Sequence, residues 1–204
     1  METGDTVKRI GVKMENDIKT KNDIRMKNDK KTKLYMDSYD SPLGRISMTS
    51  DGDVLKGLWI EGQHYYADSL DESPEPGACS AFARTKRWLD IYFSGDIPDF
   101  IPPLAPEGSA FRRRVWEILL DIPYGEVRTY GDIAAQIASE TGKKRMAAQA
   151  VGGAVGHNPI SIIIPCHRVV GKDGSLIGYG GGLDKKIFLL GLEKWLDPKD
   201  YSDF

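Results

Sequence analysis

At 204 residues, with 40% hydrophobic and 28% charged side chains, the chain has the make-up of a soluble globular protein with mass enough for one domain or two small ones. Two cysteines exclude a disulfide framework, the N-terminus lacks the basic-then-apolar order of a signal peptide, and no apolar run approaches membrane-spanning length, so a reducing cytoplasm is the expected compartment. The formal net charge of −2 conceals an asymmetry: ten basic against six acidic residues over 1–33, five against twelve over 34–105, twelve against nine over 106–194, and one against three beyond. The middle segment repels polyanions. The later one carries Arg112-Arg113-Arg114 and Lys143-Lys144-Arg145, which fit a nucleic-acid partner, although solvated helix faces explain the charge equally well.

Residues 1–33 read as a disordered, charged extension. Asn-Asp recurs at Asn16, Asn22 and Asn28, a spacing that suits neither a helix nor a heptad, and little apolar surface is available to bury. A first folded segment, 34–105, opens with strands predicted over 34–36, 44–48 and 54–60, with turns at Ser41-Pro42 and Asp51-Gly52. A helix follows over 80–93, with Phe82, Thr85, Leu89, Tyr92 and Phe93 on one face, and Cys79 at its start reads as structural. Residues 97–106, rich in proline, form a linker.

A second segment, 106–196, is mostly helical, with 197–204 as a tail. A helix over 111–120 places Phe111, Val115, Ile118 and Leu119 together, and Pro123-Tyr124-Gly125 breaks it. Thr129 and Asp132 match a capping box for a short helix to about Ala138. A turn at Thr141-Gly142 leads to a second short helix over 144–156 with basic residues at its start, an arrangement resembling a helix-turn-helix. Ala147, Ala148, Ala150, Gly152, Gly153, Ala154 and Gly156 leave that helix almost bare. A glycine weakens a helix interior by about 1 kcal/mol, so the slimness serves either close packing on the core or close approach to DNA. Asn158-Pro159 stops the helix.

The run Ile160-Ser161-Ile162-Ile163-Ile164 predicts a short buried strand that delivers Pro165-Cys166-His167-Arg168-Val169-Val170. Sulfur is the strongest side-chain nucleophile once ionised, and an imidazole nearby can take its proton. Side chains adjacent in sequence diverge, so a water bridge between Cys166 and His167 is expected rather than a direct bond.

These blocks together resemble the O6-alkylguanine-DNA alkyltransferase family. The match runs through Pro123-Tyr124-Gly125-Glu126-Val127, Tyr130, Ala150-Val151-Gly152-Gly153-Ala154, Asn158-Pro159, Ile164 to Val170, Gly178-Tyr179, Gly181-Gly182-Leu183 and Leu189-Leu190-Gly191-Leu192-Glu193. The resemblance implies an α+β fold: a small ribonuclease-H-like α/β N-terminal domain, then a mostly helical, winged-helix-like C-terminal domain. It implies DNA repair by direct, stoichiometric and irreversible transfer of an alkyl group from O6 of guanine, or O4 of thymine, to Cys166 after base flipping. The partner would be double-stranded DNA and the protein a monomer. No cofactor is implied, and with only Cys79 and His64 in the N-terminal half no zinc is expected.

By the same resemblance Cys166 is the nucleophile, His167 and Glu193 complete a cysteine–water–histidine–glutamate relay, and Asn158 is the hinge between recognition helix and cysteine loop. Tyr130, Gln149, Ala150, Gly153, Val169, Tyr179 and Lys186 are the expected DNA- and base-binding residues, Lys185 competing with Lys186 for its place. Arg168 is read as an ion-pair partner. Gln149 departs from the family, which commonly has an arginine there to fill the space of the flipped base; extrusion is expected to be weaker for it. Three rival readings are a lesion-binding alkyltransferase-like protein without chemistry, a helix-turn-helix regulator and a papain-like hydrolase. The presence of Cys166 opposes the first, and Cys–His adjacency opposes the last.

Overall fold

In the computed structural model, residues 33–68 and 73–197 are described; the extension expected over 1–33 falls almost wholly outside them, as does the tail. Strands β1 (Tyr35–Ser41) and β2 (Gly44–Ser50) form a hairpin closed by Ser41 pairing with Gly44. Gly44 adopts φ +96°, and Ser41 Oγ donates to the Gly44 carbonyl at 2.6 Å while accepting from the Leu43 amide at 3.1 Å. Strand β3 (Leu55–Ile60) pairs antiparallel with β2, and the two-residue β4 (Glu75–Pro76) pairs parallel with β1, giving the order β3-β2-β1-β4. Helix α1 (Ser80–Phe93) contacts this sheet and buries Phe82, Thr85, Leu89 and Tyr92 of the expected face together with Ala81 and Trp88, while Phe93 is half-buried.

After the linker, α2 (Ala110–Leu120) starts at Ser109, whose hydroxyl accepts from the Arg112 amide. Strand β5 (Arg128–Thr129) leads directly into α3 (Tyr130–Glu140), which opens with the full capping box between Thr129 and Asp132. Helix α4 (Ala148–Gly156) begins at Ala148, not at residue 144. The reason lies in how α3 ends. Gly142, at φ +65°, and Lys143 return their amides to Ser139 and Ala138, so the chain needs an extended stretch before it can nucleate a new helix. Lys143, Lys144 and Arg145 therefore stand exposed in the turn ahead of α4. The α2 residue Trp116 ties the two elements, its Nε1 donating to the Ala154 carbonyl at 2.9 Å.

The strand expected over 160–164 is not one. Only Ile160 bridges, to Leu58 of β3, and the following residues turn, with Ile162 at φ +69°. All five residues are buried, so the apolar run reported surroundings on every side rather than an extended backbone. A single 3-10 turn, Cys166–Arg168, then gives way to β6 (Val169–Val170), which pairs parallel with β5, and α5 (Leu183–Leu192) closes the fold.

The architecture is α+β, a four-stranded mixed sheet with a helical C-terminal region. One hydrophobic core joins Ile46, Leu58, Phe82 and Leu89 to Trp116, Ile133, Val151, Ile160 and Leu189. No helix among the described residues is long and apolar enough to cross a membrane.

Candidate active site

Cys166 opens the 3-10 turn and is 6% exposed. The nearest polar group is the amide of Asn158, just past the end of α4. Its Nδ2 lies 3.1 Å from Cys166 Sγ and donates to the carbonyls of Ile164 (2.8 Å) and Ile160 (3.3 Å), while its Oδ1 accepts from the Ile160 amide. Asn158 thus stops the helix, braces the turn and touches the sulfur. Burial raises the thiol above its ordinary pKa, and Asn158, the cation of Lys186 and the amides of the turn offset this only in part. The resting sulfur is protonated, so nucleophilic work requires a base.

His167 is fully buried, with Nε2 2.7 Å from Glu193 Oε1. A carboxylate only accepts, so Nε2 carries the hydrogen and Nδ1 keeps its lone pair. Nδ1 is buried and has no hydrogen-bond partner among the described residues. Burial lowers the pKa of the imidazole, against the pull of Glu193, which leaves it neutral and able to accept a proton.

Glu193 caps α5 at its C-terminal end, 2% exposed. Desolvation would raise its carboxyl, but His167 and Arg168 outweigh that and hold it well below the usual carboxylate range. Arg168 grips both oxygens, Nε to Oε2 at 2.8 Å and Nη2 to Oε1 at 3.0 Å, and anchors itself on the Ile122 carbonyl at 2.6 Å. This is the ion-pair role expected of it. Two further donors reach the same carboxylate: the Tyr92 hydroxyl at 2.6 Å and the Gly125 amide at 3.3 Å. Tyr92 belongs to α1, and nothing local in the sequence separates it from an ordinary core aromatic.

A cleft of about 990 Å³ is lined by Tyr130, Gln149, Gly152 and Gly153 and by the loop through Gly178-Tyr179-Gly180; Cys166 and His167 are not on its wall, but Tyr130 and Tyr179, which are, lie near them. Tyr130 donates to the carbonyls of Gly178 (3.0 Å) and Ile177 (3.2 Å), and burial, with Cys166 nearby, pushes it up to about 12. The Tyr179 ring stands edge-on to His167 at 6.4 Å, and its buried hydroxyl has no hydrogen-bond partner among the described residues. Of the two adjacent lysines, Lys186 points inward. Its Nζ donates to the carbonyls of Val169 (2.6 Å) and Ile177 (2.7 Å), and burial pushes it down to about 8. Lys185 instead lies 3.8 Å from Asp184.

Three of the expected DNA- and base-binding residues, Val169, Ala150 and Lys186, do not line the cleft. The Val169 side chain is buried in the core because β6 turns it away from the cleft, leaving only its carbonyl to hold Lys186. Ala150 is exposed on α4 but does not line the cleft. Among the lining residues that the sequence reading did not single out are His64 and Tyr65, from the loop after β3. The His64 amide bonds the Gly180 carbonyl at 2.8 Å, and the Tyr65 ring stacks on His157 with centroids 3.9 Å apart.

A buried thiol braced by Asn158, a hydrogen-bonded His167–Glu193–Arg168 cluster and a bare helix of a helix-turn-helix pair fit the class of proteins that act on DNA through a cysteine. Comparison with known proteins specifies it further. Residues 110–195 match the family model described as 6-O-methylguanine DNA methyltransferase, DNA binding domain. The methylated-DNA–protein-cysteine methyltransferase of Mycobacterium tuberculosis (strain ATCC 25618 / H37Rv) is 44% identical over 171 residues, 84% of this chain and 99% of that protein. The Haemophilus influenzae protein of the same name is 44% identical over 168 residues, 80% and 88% of the two chains. The crystal structure of Mycobacterium tuberculosis OGT in complex with DNA superposes with a TM-score of 0.69 at 43% identity, covering 78% of this chain and 92% of that one. The chain belongs to the methylated-DNA–protein-cysteine methyltransferase family. It is a DNA-repair methyltransferase, and its helical region binds DNA.

Proposed function

We propose that Cys166 Sγ takes the alkyl group from O6 of a guanine swung out of double-stranded DNA. The observation that carries this reading is a buried thiol braced by Asn158 at 3.1 Å next to an imidazole tied to Glu193 at 2.7 Å. A water between Sγ and His167 Nδ1 passes the thiol proton to the imidazole, and Glu193 with Arg168 stabilises the imidazolium that results. The S–C bond forms as the C–O6 bond breaks. The electron pair leaves with the purine, which then takes up a proton. Tyr130, protonated at neutral pH, supports the departing base. The thioether is stable and no neighbouring group among the described residues is placed to cleave it, so each molecule reacts once.

The O6 atom faces the major groove inside a duplex, out of reach of a buried sulfur, and base extrusion costs a few kcal/mol. The bare side of α4 supports a seat in the minor groove, with Gln149 at the cleft where the departed base leaves a gap. All relay residues come from one chain, which supports action as a monomer, and the free thiols of Cys79 and Cys166 suit a reducing cytoplasm. The test is the mass of the intact protein after incubation with a duplex oligonucleotide carrying O6-methylguanine. The expected result is a gain of one methyl group on the Cys166 peptide, lost in Cys166→Ala. DNA binding without a mass change would favour a lesion sensor instead.

A further inference from the structure

The motifs that mark this site all lie within, or close to, the matched residues 110–195, yet one side chain of the relay comes from well outside them. Tyr92 is the next-to-last residue of α1, on the far side of the linker. Its ring is fully buried, stacked on Trp88 at 5.1 Å and edge-on to Tyr124 at 6.0 Å. Its hydroxyl makes the shortest contact of the Glu193 carboxylate, 2.6 Å to Oε1, and also lies 3.4 Å from His167 Nε2. We infer that Tyr92 is a positioning residue of the relay, holding Glu193 and giving its hydrogen to the carboxylate oxygen on which His167 leans.

Proton accounting gives the reason. The hydroxyl has one hydrogen, and Glu193 takes it, so the oxygen turns lone pairs toward Nε2. Burial and the Glu193 charge raise the pKa of the phenol well above its ordinary value, so that hydrogen stays. Nε2 therefore faces two acceptors and must be protonated, and Nδ1 is the base. The hydroxyl also drains charge from the oxygen that His167 leans on. Without it, Oε1 would stabilise the imidazolium more strongly, and His167 would protonate at higher pH, where it could no longer accept the thiol proton. The other ionisable side chains around His167, namely Arg168, Lys186, Tyr179 and Cys166, all stay in place in Tyr92→Phe.

This inference rests on Cys166 as the alkyl acceptor, and the experiment keeps the two apart. Single-turnover methyl transfer from duplex O6-methylguanine is followed from about pH 5.5 to about pH 9 for the full chain, Tyr92→Phe and Tyr39→Phe. The phenylalanine keeps the ring packing, and Tyr39→Phe removes a hydroxyl bonded to Asp90 on the outer side of the same helix. In Tyr92→Phe the acid limb should move up by about one pH unit, a loss of about ten-fold there with nearly full rate at the alkaline end. Tyr39→Phe should follow the wild type. Nitrogen-15 spectra should show hydrogen on His167 Nε2 in both proteins, with the doubly protonated imidazolium persisting to higher pH in Tyr92→Phe. A Tyr92→Phe profile parallel to wild type, at full or uniformly reduced height, overturns the inference, as does a wild-type His167 protonated on Nδ1. A wild type that gains no methyl group defeats the acceptor assignment instead, and the spectra still read the tautomer.

Discussion

Gln149 stands exposed at the cleft, on the first turn of α4. An amide there can hydrogen-bond an orphaned cytosine, but it carries no charge and stacks poorly, unlike the arginine that the family pattern leads one to expect. Gln149→Arg should speed methyl transfer from duplex DNA by about two- to five-fold, the worth of one exposed cation–π contact, with little change on single strands. An unchanged or slower duplex rate would speak against it. Cys166 and His167 were legible as candidates because a thiol beside an imidazole after an apolar run restricts the chemistry, whereas Asn158 and Glu193 were named through the family resemblance, and the fold brings all four together. Tyr92, His64 and Tyr65 were not legible: their neighbours in sequence are ordinary, and only the folded chain carries them to the site. Val169 shows a further limit: the motif names the residue, while the fold buries its side chain and gives its carbonyl to Lys186.

Periodicity located the helices well because a buried face repeats. It misplaced the start of α4 and turned 160–164 into a strand, since neither the amides spent closing α3 nor burial from every side leaves a periodic trace. The glycines of α4 allow a direct test of what its bareness is for. A Cβ on Gly153 would meet nothing within 4 Å, so the fold alone does not require glycine there. Gly153→Ala should therefore raise stability by up to about 1 kcal/mol through helix propensity while weakening DNA binding, because the methyl stands on the side offered to the duplex. Thermal melts and a binding titration read the two effects separately. Improved stability with unchanged affinity would remove the DNA-facing role.

The buried relay also ties the stability of the whole molecule to pH. Burial lowers the pKa of His167, so below about pH 6.5 the unfolded chain takes up a proton that the folded one refuses. Glu193, held low by His167 and Arg168, acts in the same direction below about pH 4.3. Both contributions are present above those values and are lost on acidification. The urea midpoint should fall steadily from about pH 7.5 to about pH 5, and His167→Asn should flatten the upper part of that slope. A midpoint indifferent to pH would mean that the relay is solvated.

Leu58 shows how far this dependence reaches. Its amide bonds the Pro159 carbonyl and its carbonyl receives the Ser161 amide, each at 2.8 Å, so the backbone on either side of Ile160 is laced to β3. Asn158 stands one residue before that lacing and Cys166 five residues after it. A sheet that slipped by one rung would drag the bracing amide off the sulfur while every helix remained wound. Repair competence is then forfeited earlier than shape, and a worn copy of this enzyme would fall silent before it fell apart.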